Sequence, residues 1–420
     1  MDFELDNRIR QRLVAGRAAQ FQFLKDLVGT ASHNPPGNGE AIAERVAAEL
    51  KTLGFGVERH RVPNELAQER GLAMVVNLVA RQLFGAGNVV ALNAHGDTAP
   101  AGEAWPPRTG GADPFTATIK GGAMTGLGVL AKADIATYAY ALAALRDAGS
   151  ELAGTVELHV TFDGETGGEL GPKWLLDTKV VNPDYAIGSG LAYGIGTSAM
   201  GDLQMQVEIA GKRSGKAPSG GQGGGRADAL ETAGRVMTAL YRERDGYGAI
   251  RSQVPGIGSP SLVIGEIEGG RRPDVAPDKV TFRLVRRLIP DEDLGVAERQ
   301  LTRLIAETAS GMAGIVCRIR RLKLVAPMHP VPGAGRLAET LERQASRATG
   351  RTITSYGVAF DTEARHYAAH GIPTVLYGAG PASAVEANMG GADEKLVLDD
   401  LRLATEVVAL TLAEFLTPAG

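Results

Sequence analysis

Residues 88–97 read Asn-Val-Val-Ala-Leu-Asn-Ala-His-Gly-Asp. The run is short, nearly continuously apolar, and stops on His95-Gly96-Asp97. Such a run suits a strand buried on both faces of a parallel or mixed sheet. Polar side chains at the carboxyl end of such a strand occupy the place where open α/β sheets hold their ligands.

The neighbouring segments repeat the pattern. Residues 73–80 (AMVVNLVA), 154–164 (GTVELHVTFDG) and 183–190 (PDYAIGSG) read as further buried strands. Between them, 131–149 reads as a helix stopped by Gly149. Residues 7–28 and the stretch after the Pro-Gly turn at 35–37 read as helices as well. This β/α alternation predicts a layered α/β domain.

The pattern changes near Thr197. DLQMQVEIA (202–210) alternates apolar and polar residues, as a half-exposed antiparallel strand does. From there to about Val325 the order is β-α-β-β-α-β, a ferredoxin-like arrangement. Apolar strands and helices then return. The expectation is a discontinuous α/β domain, 1–198 and 326–420, interrupted by an α+β domain over 199–325. A length of 420 residues agrees with two cores.

Composition narrows the function classes. The formal net charge is −4 and aromatic residues make up 5%. Neither favours a nucleic-acid surface or an anionic-membrane surface. No apolar run approaches the roughly 20 residues that cross a bilayer, and the first residues lack a signal-peptide pattern. The single cysteine, Cys317, has no internal disulfide partner. Together these fit a cytoplasmic protein in a reducing compartment.

At ALNAHGDTAP (91–100) the sequence resembles the zinc-dependent aminoacylase, carboxypeptidase G and succinyl-diaminopimelate desuccinylase family of metallopeptidases. SHNPPGNGEAIAERVAAEL, DPFTATIKGGAMTGLG, GGRRPDVAPDKVTFRLVRRLIP, DTEARHYAAHGIPTVLYGAG and ADEKLVLDDL carry the resemblance on in order. It implies a zinc-exopeptidase-like α/β domain with a mixed sheet and a lid domain that commonly forms a homodimer. It also implies two zinc ions bridged by a carboxylate and a water, with a glutamate as base. Zinc would lower the pKa of the water and polarise a carbonyl.

Carried across position by position, the resemblance gives His95 as a ligand and Asp97 as the carboxylate that orients it. Glu165 stands at a second ligand position. The other functional positions have lost their side chains. The bridging aspartate falls on Ala131, the base on Gly164, two further ligands on Gly190 and Gly390, and the lid histidine on Gly215. His95 and Glu165 alone would be a poor zinc site, since catalytic zinc normally keeps three protein ligands. No cofactor is therefore expected, or at most one weakly bound metal.

Three readings follow. The first is a repurposed, metal-independent enzyme acting on a carboxylate-bearing, amide- or amino-acid-like molecule. The second is a non-catalytic binding protein. The third is a single-metal amidohydrolase that recruits Asp134 or His366. The candidates for acid–base work are His95, Asp97, Glu165, Asp163, Asp361 and His366. Without cations, clustered carboxylates should have raised pKa values. Arg286 is the candidate for a substrate carboxylate, with His366 also near the substrate. His366 and His370 are spaced i, i+4 on a helix, a spacing able to hold metal. Asp274 replaces a family asparagine. The glycines are expected to leave the cleft wider. His33, His60, His159 and His329 receive no role.

Overall fold

The computed structural model describes residues 3–101, 113–149, 152–211, 227–272, 275–383 and 385–417. Gly215 and Asp274 lie outside the described residues. The chain forms two units, 1–197 with 329–356 and 362–420, and 198–328 with 357–361.

The larger unit carries an eight-stranded mixed sheet. Its central strands, Thr155–Thr161, Val89–His95, Tyr185–Gly188 and Thr374–Leu376, run parallel. Strands Val57–Arg61 and Val76–Leu83 extend it antiparallel on one side. The apolar runs form these strands because both sheet faces are covered, so hardly any position of Val89–His95 needs a solvated side chain.

Helix Val129–Asp147 is buried along almost its whole length and packs with helices Phe3–Val28 and Leu398–Phe415. Its many alanines let these helices approach closely while costing little helix propensity. Among the described residues no helix is long and apolar enough to cross a membrane.

The smaller unit is an antiparallel sheet of Ser261–Gly269, Lys279–Leu288, Gly201–Ala210 and Val316–Val325, in that spatial order. Counted along the chain the order is second, third, first, fourth. Helices Ala229–Gly246 and Leu294–Ser310 pack on the face formed by Leu203, Met205, Val207, Ile209, Phe282 and Leu284. The alternation read in 202–210 thus separates a core face from a polar one. Asp228 and Asp293 cap the two helices, the first accepting from Leu230 N and Glu231 N and the second from Val296 N.

In the larger unit, the parallel central strands bring their carboxyl ends to one edge. His95, the turn after Thr161, the turn after Gly188 and the turn after Leu376 all lie there. That edge holds the candidate site.

Candidate functional site

His95 ends its strand and is partly open to solvent. Its Nδ1–H donates to Asp97 Oδ1 at 3.0 Å. Asp97 is buried and accepts three more bonds, from Gly164 N at 3.0 Å, Glu165 N at 3.0 Å and Asn34 Nδ2 at 3.3 Å. One carboxylate therefore fixes the imidazole and the turn Gly164–Thr166 together. Burial disfavours the imidazolium, but the bond and charge of Asp97, with Glu363 and Glu165, outweigh it and push the His95 pKa up to about 10. Burial likewise opposes the Asp97 anion, yet His95 and the amide bonds hold its carboxyl below the usual range. Asp97 thus departs from the expectation that carboxylates here rise.

The expectation of a widened cleft is corrected at two positions. A Cβ on Gly164 would sit 2.5 Å from His95 Cγ and 2.6 Å from its Nδ1. The imidazole already fills the space into which a side chain at 164 would start. A Cβ on Gly190 would sit 2.6 Å from Tyr377 N and 2.8 Å from Leu376 C. There the neighbouring backbone has closed in. At Gly390, with φ +72°, the space around the missing side chain is open. Spacing along a sequence carries no information about how near a neighbouring backbone lies, so the closure was hidden.

Ala131 lies in the first turn of helix Val129–Asp147 with no donor to offer. Asp134, one turn on, is buried and accepts from Ala379 N at 2.7 Å and Gly190 N at 3.2 Å. It ties two strand ends together rather than capping its own helix. Burial outweighs these bonds and pushes its pKa up to about 7. Glu394 accepts from the amides of Gly128, Leu130 and Gly390, so it satisfies the start of the helix. Lys132 is fully buried, donates to Thr30 O at 3.0 Å, and burial drives its pKa down to about 7.

The remaining candidates separate. Asp163 is buried beside the site, accepting from Leu170 N at 2.6 Å. Burial, then the charges of Glu363 and Asp97, raise its pKa well above the carboxylate range. Glu165 is half-buried on the turn, with its amide on Asp97. His366 is buried and donates Nε2–H to Gly167 O at 2.8 Å. Burial and the neighbouring Arg365 push its pKa down to about 3, so it is a neutral imidazole. In the i, i+4 pair the ring nitrogens face other partners. His370 Nδ1 donates to His366 O and its Nε2 bonds Asp177.

Asp361 belongs to the smaller unit. It bonds Arg287 at 2.6 Å and Lys323 at 3.0 Å. Burial works against its anion, but the two cations hold its pKa far below the usual range, the reverse of the expected rise. Arg286 is buried in the same unit, on the core face of its strand. Its fork engages Glu292, and its Nε donates to Tyr247 Oη at 3.0 Å. The strand alternation puts Arg287, one residue on, on the opposite face.

One group escaped the sequence reading. Glu363 is buried and accepts from Thr161 Oγ1 at 2.6 Å. Thr161 pairs in register with His95 on the adjacent strand. Burial raises the Glu363 pKa, while the charge of His95 pulls against it. The segment DTEARHY marked a family block, but only the folded chain brings its glutamate beside the histidine.

Set against a two-zinc centre, the donors do not fit. Positions 131, 190 and 390 carry no ligating atom, and at 190 the backbone of Tyr377 leaves no room for one. His95 and Glu165 are the ligand positions that keep a donor.

Comparison with known proteins agrees with the fold. The profile of peptidase family M20/M25/M40 matches residues 91–414, and the chain belongs to that family. Human carnosine dipeptidase 1 is 18% identical with a TM-score of 0.76, covering 98% of both chains. The dipeptidase Dug1p of Saccharomyces cerevisiae is 16% identical with a TM-score of 0.77, covering 97% of this chain and 98% of its own. Bacillus subtilis YXEP, a dinuclear metal-binding peptidase of the family, is 16% identical with a TM-score of 0.61, covering 96% and 99%. No curated protein matches the sequence.

Proposed function

We propose that this member of the M20 family works without the two zinc ions and acts on a carboxylate-bearing, amide- or amino-acid-like small molecule. The observation that carries the reading is the exchange at Gly164. Where relatives would project a general base, the His95 ring occupies the space, held by the same carboxylate that holds the turn.

Within this reading His95 is a fixed cation with its Nε2–H available to a carbonyl or carboxylate oxygen. It polarises that oxygen and stabilises the negative charge that develops on it. Asp97 keeps the ring oriented and charged. Glu165 lies on the turn that Asp97 ties to His95. The charge on His95 favours an anionic or carbonyl-bearing ligand, in line with the substrates named for the related dipeptidases. The lid-mediated homodimer and cytoplasmic location belong to the same proposal.

The test is turnover of a panel of N-acyl amino acids and dipeptides by protein stripped with chelator. The reading expects kcat/KM to be the same with and without chelator. Activity that appears only on adding zinc would overturn it. Tight binding without turnover would favour a non-catalytic binding protein instead.

A further inference from the structure

We infer that Glu363 is the general base of this site, replacing the side chain absent at Gly164. This rests on the metal-independent amide hydrolysis proposed above and names the residue that would perform its proton abstraction.

The geometry supports the assignment from several directions. Thr161 Oγ1 fixes Glu363 Oε1 at 2.6 Å, while the buried Oε2 makes no hydrogen bond of normal geometry among the described residues, with the Asn93 side chain the neighbour that favours the anion. A buried carboxylate oxygen without a partner is costly and calls for an explanation, such as a ligand or water held there. Thr161 and His95 are paired residues of adjacent parallel strands, about 5 Å apart, so the glutamate and the imidazole share one strand edge. Gly168, at φ +71°, leaves room for Glu363. A Cβ there would fall 2.6 Å from the Glu363 Cβ and 3.3 Å from Oε2. The turn after Glu363 is fastened to the same loop, because Arg365 and His366 both donate to Gly167 O at 2.8 Å. Glu363 is thereby held rigidly against the loop that carries Gly164 and Glu165.

The step balances with water as co-reactant. Oε2 takes a proton from water as the water oxygen bonds to the amide carbon. His95 stabilises the resulting oxyanion. Breaking the C–N bond then returns the proton from Glu363 to the departing nitrogen.

The experiment compares wild type, Glu363→Gln, Glu363→Asp and Thr161→Val, all metal-stripped, on the same N-acyl amino acid and dipeptide panel. Glu363→Gln is expected to lower kcat by about 10²–10⁴-fold with KM within about threefold, and to abolish the acid limb of the pH profile. Glu363→Asp should recover part of the rate. Thr161→Val keeps the carboxylate, and should lower kcat less while leaving the acid limb in place. Circular dichroism checks that each variant is folded. If wild type turns over the panel and folded Glu363→Gln matches it within threefold, the assignment falls and the proposed function stands. If wild type binds the panel without turnover, or neither binds nor turns it over, both fall.

Discussion

Gly190→Ala is expected to destabilise the chain by about 3 kcal/mol or more, although it adds only one methyl group. The new Cβ would start 2.6 Å from Tyr377 N and 2.8 Å from Leu376 C. Both are backbone atoms of a central parallel region and cannot swing aside as a flexible side chain would. Movement there would also disturb Gly190 N, which donates to Asp134, and Tyr377 N, which donates to Gly188 O. Gly390→Ala is the contrast. It meets open space, and its cost is confined to the left-handed backbone at φ +72°, about 1 kcal/mol. Denaturant unfolding of the two variants reads the difference. Equal and small costs would mean the strand ends near 190 are not packed as described. A large cost at 190 also means that an acidic ligand cannot be restored there by one substitution.

Asp97→Asn is the second large effect, expected at about 2–3 kcal/mol, because it leaves a partly buried imidazolium without its buried counter-charge. The pH dependence distinguishes this cause from simple loss of packing. His95 has a folded pKa of about 10 against an ordinary 6.5. Its stabilisation is therefore complete below about pH 6.5 and is lost as pH rises through 10. Asp97 has a depressed folded pKa, so its part is present above its ordinary 3.8 and is lost as pH falls. The deficit of Asp97→Asn should be greatest between about pH 4 and 6.5 and shrink towards pH 10. Lys132 runs the other way. Its folded pKa of about 7 against an ordinary 10.5 makes stability rise with pH across that interval. Wild type should therefore look flatter above pH 7 than either group alone would make it. A deficit that stays constant from pH 5 to 10 would remove the charge pair as its cause.

The folded chain was legible where pattern follows geometry. Alternation in 202–210 marked an antiparallel strand with one buried face, and the run at 89–95 marked a strand covered on both. His95 and Asp97 were legible because two residues at a strand end carry their own geometry. Glu363 was not, since its partner Thr161 is far away in sequence and meets it only through the sheet. The glycines misled for a related reason. A missing side chain in sequence suggests empty space, yet at 164 and 190 the imidazole and a neighbouring strand had moved into contact. Asp361 and Arg286 were read as site groups by proximity to family blocks. Their ion-pair partners, Arg287, Lys323 and Glu292, come together only in the folded smaller unit.

The central claim is that the chain has exchanged a two-zinc centre for a charged histidine held by Asp97. Zinc analysis of protein purified without chelator, followed by titration with zinc, tests it most directly. The account predicts well below one zinc per chain and no tight site on titration. Two tightly held zinc ions per chain would contradict it.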